Sequence, residues 1–452
     1  MGSLRGTLRV VVPLLIVAVA AVLRLADLGS PERLYFDEQF YANDAHEYLQ
    51  QGVEHDRPAH PPLGKWLIAA GIAALGFEPV GWRAAAALAG TLTVLLTYLA
   101  GLRLFRSMTA AGVAAALLAV DGLALTMSRI AMLDAFLALF VVVGVGLLVV
   151  DHDRPARRWR MLAGVAFGCA VATKWSGLLA LGAAIGLVAA RDLADGAGRL
   201  PGGRGRRLAG GVVVPLVVVP LAVYVASWAG WFANYERTEA ARERCRQPCE
   251  VGVVDVADAW IDEQVEMFRF QRRLPATHPY RSPPWDWPLL TRPVLFYLES
   301  CPEAPTAGAS PSGAGETPDC VTGPGRQARI VGVGNPAVWW PGAAAVVGVT
   351  FLALRRRTWP EVVVAGFALG QYVPWFASWK TGYSFYLLPA APFVCLALGA
   401  AAGWLRRPLR GPVVTVVVGL ALAGLVWFRP VWYGEETSPG AQAERLWFDS
   451  WR

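Results

Sequence analysis

Most of this 452-residue chain consists of apolar runs separated by short polar segments. Hydrophobic residues make up 55% of it and charged residues only 17%, whereas soluble domains carry roughly 25% charged residues. An apolar run of about 20 residues is long enough for a helix to cross a bilayer. The sequence therefore predicts an all-α polytopic membrane protein with about 11 transmembrane helices, over roughly 8–28, 80–102, 108–127, 130–150, 161–173, 176–190, 208–229, 337–354, 361–378, 384–404 and 411–428.

The arginines predict how these spans are oriented. They cluster in short segments between apolar runs, at Arg103 and Arg106, 154–160, 191–207, 355–357 and 406–410. Such clusters mark cytoplasmic loops, so the net charge of +7 indicates membrane orientation rather than nucleic-acid binding. Alternation from a cytoplasmic N-terminus then divides the chain into an N-terminal membrane module (1–230) with a catalytic first external loop (29–79), a large extracytoplasmic loop (230–336), C-terminal transmembrane helices (337–428) and an external tail (429–452).

The two external loops contain further predicted helices. Acidic residues open a helix over 37–51, which ends near Gly52. The apolar segment 63–75 is too short to span comfortably, so it is predicted to lie at the interface or re-enter the membrane. Residues 257–268 have the pattern of an amphipathic helix, which lies on the membrane surface or packs against the rest of its loop.

The cysteines fall into two groups. Cys169 and Cys395 lie within apolar runs and are expected to be small buried hydrophobes. The large external loop holds the other four, which are disulfide candidates with three possible pairings: Cys245, Cys249, Cys301 and Cys320. Cys301 and Cys320 bracket a Pro/Gly/Ser/Ala-rich stretch, and a bridge between them would staple that stretch to the fold.

Seven short motifs occur in order along nearly the whole chain. They are Phe36-Asp37-Glu38, the segment 60–65 (HPPLGK), Gly81-Trp82-Arg83, the segment 128–134 (SRIAMLD), the segment 172–177 (ATKWSG), His278-Pro279-Tyr280 with the segment 285–288 (WDWP), and Gly334-Asn335-Pro336 with Trp339-Trp340. In these residues the chain resembles the protein O-mannosyltransferases, which are polytopic glycosyltransferases of the GT-C fold.

The resemblance implies an enzyme that transfers mannose from polyprenyl phosphate mannose, its lipid donor, to Ser or Thr hydroxyls of secreted proteins. It also implies action at the outer face of a bacterial plasma membrane, with the Sec translocon as a further partner. Residues 230–336 are too short and irregular for the β-trefoil domain of eukaryotic members. The alternative is a GT-C enzyme that glycosylates a lipid or a cell-wall glycan. A transporter is disfavoured, because the polar residues gather at the outer face rather than near mid-membrane.

The adjacent acids Asp37 and Glu38 are the catalytic candidates. An attacking hydroxyl must lose a proton, which calls for a carboxylate as general base. On a helix, consecutive side chains diverge by about 100° and cannot both address one atom. Asp37 is assigned as the base and Glu38 to positioning the acceptor or holding a neighbour. The competing interpretation is that both acids only cap a helix N-terminus.

A departing phosphate needs positive charge rather than a general acid. Lysine suits phosphate as a compact cation, and the three lysines, Lys65, Lys174 and Lys380, all fall at predicted external ends of apolar segments. The candidates for contacts with the donor phosphate or sugar are Lys65, Arg83, Arg129, Asp134, Lys174 and His60. Three alternatives stay open: lysines snorkel at helix ends, Arg129 and Asp134 pair with each other, and His60 only orders its proline turn.

Residues of the second loop are the candidates for acceptor or loop contacts: His278, Tyr280 and Trp285. No cluster in the chain has strong metal-ligand spacing. The sequence therefore predicts no tightly bound metal or other cofactor, and leaves open a weakly held divalent ion at Asp37 and Glu38.

Overall fold

The computed structural model describes residues 2–54, 56, 58–196, 209–244, 252–273, 279–301, 322–323, 325–378 and 382–452. Within them the chain is mainly helical. The α-helices, in chain order, are α1 (Gly2–Leu25), α2 (Glu38–Gln51), α3 (Leu63–Leu75), α4 (Pro79–Phe105), α5 (Met108–Ala119), α6 (Gly122–Met127), α7 (Leu133–Asp153), α8 (Arg157–Thr173), α9 (Gly177–Gly196), α10 (Val219–Ala226), α11 (Ala229–Ala233), α12 (Glu239–Arg244), α13 (Val253–Arg273), α14 (Pro336–Arg356), α15 (Trp359–Gly370), α16 (Ala391–Trp404), α17 (Arg407–Tyr433) and α18 (Pro439–Arg445).

Every predicted apolar run coincides with helical structure. A π-helical segment, Ala209–Val218, leads into α10, and a 3₁₀ segment, Ser384–Ala390, leads into α16. In the described part of the chain, six helical segments are long and apolar enough to cross a membrane, and four further apolar helices are shorter. The mainly helical membrane fold is therefore confirmed, while the number of eleven spans stays a prediction.

One predicted run, 108–127, is divided into two helices. Asp121 ends the first and caps the second, because its carboxylate accepts a hydrogen bond of 3.0 Å from the Ala124 amide. The same carboxylate accepts from the Asn335 amide and the Trp339 indole, each at 2.9 Å. A buried acid with three donors is well satisfied, so Asp121 fixes the start of α14 against the α5–α6 turn.

The helices pack closely because small residues line their contacts. α5 and α16 approach each other at Gly399, where an added Cβ would collide with the Ala110 carbonyl. α4, α7 and α8 surround a core that includes Val94, Phe136 and Phe167, all nearly excluded from solvent. The external segments pack on one end of this bundle.

Three segments outside the bundle meet on one face. A two-stranded antiparallel sheet, β1 (Leu295–Ser300) and β2 (Gln327–Val331), was not predicted from the sequence. The first loop packs on β1, since the rings of Tyr35 and Tyr297 lie 5.4 Å apart. The C-terminal tail pairs with β2 through reciprocal backbone hydrogen bonds of 3.0 Å between Gln327 and Thr437.

At the opposite end of the bundle, arginines form ion pairs with aspartates. Arg160 at the start of α8 contacts Asp151 at 2.8 Å and Asp192 at 2.6 Å. Arg191 contacts Asp151 at 2.6 Å. Asp151 and Asp192 lie near the C-termini of α7 and α9, at the end of the bundle that is far from the first loop. Asp134, at the start of α7, lies at the end of the bundle that faces the first loop.

The described cysteines agree with the predicted division into buried thiols within apolar runs and disulfide candidates in the large loop. Cys395 is a buried free thiol and Cys169 a partly buried one. Cys301 forms a disulfide. Cys245, Cys249 and Cys320 lie outside the described residues, so the pairing of Cys301 with Cys320 stays a prediction.

If Cys320 is the partner of Cys301, the substitution Cys320→Ser will leave the Cys301 thiol accessible to a maleimide in unreduced membranes. The bridge otherwise protects that thiol until a reductant is added. Mass spectrometry of the labelled peptide measures the outcome, and Cys245→Ser serves as the matched control. Labelling of Cys301 in the Cys245→Ser protein but not in the Cys320→Ser protein would assign the bridge to Cys245.

Candidate active site

A cavity of about 440 Å³ opens beside the N-terminus of α2. Phe36 takes a left-handed φ of +52°, which is uncommon for a residue other than glycine, and this turn brings Asp37 to the cavity wall immediately before α2 begins. The Asp37 side chain makes no capping hydrogen bond. The cavity is lined by carboxylates, lysines and aromatic rings, among them Asp37, Asp44, Glu54, Asp56, His60, Lys65, Lys174, Tyr41, Tyr383 and Tyr386.

Glu38 points away from that cavity and into the bundle. It is fully buried and accepts hydrogen bonds from Arg83 Nη2 at 2.7 Å and Arg83 Nε at 3.2 Å. The backbone amide of Ala131 donates to the same carboxylate at 3.1 Å. The acid pair therefore divides as its helical geometry predicts: Glu38 holds a neighbour, and Asp37 lines the cavity.

Arg83 makes its hydrogen bonds within this buried network. Besides Glu38, it donates to the carbonyls of Leu28 and Arg33, each at 3.0 Å, and it lies 5.0 Å from the centre of the Tyr35 ring. The described residues that line the cavity do not include Arg83. The structure thus places this candidate for the phosphate at the joint between the first loop and α4.

Arg129 and Asp134 do not pair with each other. The interpretation that these two residues form an ion pair, which the sequence left open, is therefore wrong. Arg129 donates to carbonyls at the end of α1, including Arg24 at 3.1 Å and Asp27 at 2.9 Å. It thereby caps a helix C-terminus, where cations are favoured, and it stacks on the ring of Tyr433 at 4.0 Å.

Asp134 pairs instead with Lys174. The ammonium donates to Asp134 Oδ1 at 3.0 Å and Oδ2 at 2.8 Å. Both side chains are buried, with 2% and 8% of their surfaces exposed. Lys174 also lies 5.0 Å from the ring centre of Tyr386, so the carboxylate and the ring together fix the position of the ammonium.

Lys65 belongs to a third charged cluster. Its ammonium contacts Asp44 at 3.0 Å and makes a very short contact with Glu54, and the Tyr48 hydroxyl donates to Glu54 at 3.0 Å. The pKa of the Glu54 carboxyl is raised to about 8, because the effect of burial exceeds the opposing effect of the Lys65 ammonium and the nearby Asp44 carboxylate adds to it. Sequence reasoning missed Asp44 and Glu54. Asp44 has a detectable signal, because it follows Asp37 by seven residues on one helical face.

A second, apolar groove of about 290 Å³ adjoins the cavity. Its walls come from α9, α13 and the 3₁₀ segment Val373–Ala377, with Leu178, Phe268 and Trp375 as members. Four residues line both spaces: Ala59, His60, Lys174 and Gln271. The polar cavity that contains Asp37 and the apolar groove therefore meet at Lys174.

α13 forms one wall of the groove and is amphipathic, as predicted. Glu263 and Met267 are buried against the protein, whereas Ile261, Val265 and Phe268 are exposed on another face. The Gln271 side chain donates to the Ala59 carbonyl at 2.7 Å and so ties α13 to the first loop. One face of this helix therefore packs against the protein and a second apolar face is exposed, and its contact with the membrane surface stays a prediction.

The candidates from the second loop lie elsewhere. His278 is outside the described residues. Tyr280 packs against the core and Trp285 is 62% exposed, and neither is among the described residues that line the cavity or the groove. Trp287, which belongs to the 285–288 motif but was not a site candidate, is buried, and its ring centre lies 6.1 Å from that of Tyr386. Within the described residues, no three His, Cys, Asp or Glu side chains form a group that could hold a metal ion.

Comparison with known proteins gives a consistent assignment. Residues 78–231 match the dolichyl-phosphate-mannose-protein mannosyltransferase family, and residues 256–451 match the C-terminal four-TMM region of protein O-mannosyltransferase. A polyprenol-phosphate-mannose–protein mannosyltransferase of Mycobacterium tuberculosis is 32% identical, over 95% of this chain and 88% of its own length.

Two solved structures share the fold. The Saccharomyces cerevisiae Pmt1-Pmt2 complex, bound to the sugar donor, has a TM-score of 0.79 at 16% identity and covers 98% of this chain and 92% of its own. ArnT from Cupriavidus metallidurans, bound to undecaprenyl phosphate, has a TM-score of 0.58 at 19% identity and covers 92% of this chain and 64% of its own. The chain belongs to the protein O-mannosyltransferase family and is a glycosyltransferase with the GT-C fold. This confirms the resemblance carried by the motifs.

The substitution Glu38→Gln should destabilise the protein by about 3–5 kcal/mol, because it leaves the Arg83 charge buried without its partner. The measurement is the thermal unfolding midpoint of the detergent-purified protein. Glu47→Gln, on the same helix but partly exposed, is the matched control and should unfold near the wild-type temperature. An unchanged midpoint for Glu38→Gln would show that the ion pair is not needed for the fold.

Proposed function

We propose that this protein transfers mannose from polyprenyl phosphate mannose to Ser or Thr hydroxyls of secreted or membrane proteins, with inversion at the anomeric carbon and Asp37 as general base. One observation carries the proposal: the cavity that contains Asp37 meets a membrane-type apolar groove at a buried lysine. A lipid-linked sugar phosphate has the matching order of parts, with an apolar chain, a charged phosphate and a polar sugar. The name of the M. tuberculosis relative supports this donor and a protein acceptor.

The reaction is a single displacement. The acceptor hydroxyl oxygen attacks the anomeric carbon of mannose while its proton passes to the Asp37 carboxylate. The bond between that carbon and the phosphate oxygen breaks, and the phosphate leaves with the electron pair. Attack from the face opposite to the leaving group inverts the configuration. Because phosphate is a good leaving group, charge stabilisation suffices and a general acid is not required.

Lys174 supplies that charge in the proposed mechanism. Two of its three ammonium hydrogens are engaged by Asp134, and its position at the junction directs the remaining donor capacity toward a phosphate held there. The buried surroundings strengthen the interaction, since charges attract more strongly where water is excluded. His60, which lines both spaces, is assigned to the donor beside Lys174.

The active site is assigned to the extracytoplasmic face of the plasma membrane. The first loop, the sheet and the C-terminal tail lie together at the Asp37 end. The arginine ion pairs of Asp151 and Asp192 lie at the other end of the bundle, as the preference of arginine for cytoplasmic ends requires. Acceptor proteins would reach the site as they leave the Sec translocon.

The competing proposal keeps the donor and changes the acceptor to a lipid or a cell-wall glycan. A membrane assay with radiolabelled polyprenyl phosphate mannose and a Thr/Pro/Ala-rich peptide separates the two. Label should appear in the peptide. Label that stays in the lipid fraction, while a known protein O-mannosyltransferase assayed in parallel labels the peptide, would overturn the assignment of a protein acceptor.

Asp37→Asn keeps the shape of the side chain but removes the base, so transfer should fall by about 10²-fold or more. The measurement is the turnover of purified protein with both substrates saturating. Asp258→Asn, an exposed carboxylate on α13, is the matched control and should keep wild-type turnover. Near-normal turnover of Asp37→Asn would show that another group accepts the proton.

Lys174→Ala should slow transfer by about 10²-fold, because the charge is needed most as the phosphate departs. Lys174→Arg should recover only part of this loss, since the guanidinium is larger and its charge more diffuse. Initial rates are measured against donor concentration for both variants. A lysine that only snorkels would tolerate both changes, and wild-type kinetics in Lys174→Ala would assign the phosphate to another group.

A further inference from the structure

One face of α2 carries four polar or aromatic side chains in register. Asp37, Tyr41, Asp44 and Tyr48 follow one another at intervals of four, three and four residues, and this spacing places them along a single side of a helix. Asp37 and Tyr41 line the catalytic cavity. The second half of the face is therefore a continuation of the wall that presents the base.

That second half is held by the first turn of α3. Lys65 is 1% exposed, and its ammonium lies 3.0 Å from the Asp44 carboxylate. Glu54, in the turn between the two helices, contacts the same ammonium and accepts a hydrogen bond of 3.0 Å from the Tyr48 hydroxyl. These contacts fasten α2 to α3 through side chains from three separate stretches of sequence.

The first half of α2 is fastened independently. Glu38 binds Arg83 of α4 and the Ala131 amide before α7. α2 is thus anchored at its start on one face and toward its end on the neighbouring face. A helix held at two points along its length can neither slide nor rotate freely, and the direction of the Asp37 side chain depends on both anchors.

We propose that Lys65 is a positioning residue, which holds the face of α2 that carries Asp37 in place and does not itself bind the donor phosphate. This inference rests on the proposed function, in which Asp37 is the base and Lys174 contacts the phosphate. It assigns to Lys65 a role different from the phosphate contact expected from the sequence.

The charges around Lys65 support this role. Two carboxyl groups, Asp44 and Glu54, contact the Lys65 ammonium, so the cluster has no surplus positive charge to offer a phosphate, whereas the Lys174 ammonium has a single carboxylate partner, Asp134. Burial raises the pKa of Glu54 to about 8, so the cluster tends to retain a proton near neutral pH. Lys65 also lines the cavity but not the apolar groove, whereas Lys174 lines both.

The experiment compares four variants of the purified full-length chain: Lys65→Arg, Lys65→Met, Glu54→Gln and Lys174→Ala. Initial rates over a range of donor concentrations give kcat and the KM for the donor. The binding of radiolabelled polyprenyl phosphate, which is the donor without its sugar, gives the affinity for the lipid phosphate and the fraction of protein that is competent to bind it.

We expect Lys65→Met and Glu54→Gln to lower kcat by about 10- to 100-fold, the loss typical of a misplaced catalytic group. The donor KM, the affinity for polyprenyl phosphate and the binding stoichiometry should stay within about twofold of wild type. Lys65→Arg should restore most of kcat, since it keeps a cation between the two carboxylates. A general folding defect would lower the stoichiometry instead. Lys174→Ala should differ from all three by weakening the binding of polyprenyl phosphate.

The direction in which Glu54→Gln changes the affinity for polyprenyl phosphate distinguishes positioning from phosphate binding. This variant also keeps the test valid if Lys65→Met does not fold. Were Lys65 a phosphate ligand, loss of a competing carboxylate would tighten the binding of polyprenyl phosphate above pH 8, where Glu54, with its pKa of about 8, is charged. Any of three results would overturn the positioning role. They are tighter binding of polyprenyl phosphate in Glu54→Gln, a raised donor KM in Lys65→Met, and wild-type kcat in both variants. Failure of the proposed function is distinguishable, because Asp37→Asn and Lys174→Ala would then leave transfer unchanged in the same assay.

Discussion

The buried ion pair between Glu38 and Arg83 is the contact on which the geometry of the site depends. Neither side chain is exposed, and charges in such surroundings are tolerated only when they are paired and hydrogen-bonded. The pair meets this condition, because Glu38 also accepts from Ala131 and Arg83 also donates to two loop carbonyls. A loop outside the apolar runs is thereby locked to α4 and α7, and the helix that presents the catalytic candidate becomes part of the bundle.

The locked helix explains how two adjacent acids acquire different tasks. Consecutive residues at the start of a helix point about 100° apart, so when Glu38 turns into the bundle, Asp37 must turn toward the cavity. One carboxylate is neutralised by an arginine, while the other lines a space with lysines and tyrosines. A single base is sufficient for transfer from a lipid phosphate, because the leaving group needs positive charge and not a proton.

Lys174 lies where the polar and the apolar parts of the site meet. It ends α8, is held by Asp134 at the start of α7, and lies where the polar cavity meets the apolar groove. A cation buried at such a boundary is unfavourable unless it has a partner, and Asp134 provides one. The arrangement suits a substrate in which a phosphate joins an apolar chain to a polar sugar.

The sequence by itself determined the helices, the first loop and the catalytic candidate. Apolar periodicity is local, so the segment 63–75 has the same bounds in the structure as in the prediction, and the divergence of Asp37 and Glu38 follows from helix geometry alone. Only the tertiary structure decided which charges pair. Asp134 takes Lys174, 40 residues away, rather than Arg129, and the tail pairs with a strand that no pattern indicated. Such partners are chosen by the packing of distant helices, because a buried charge must be neutralised by whichever opposite charge the fold brings within reach.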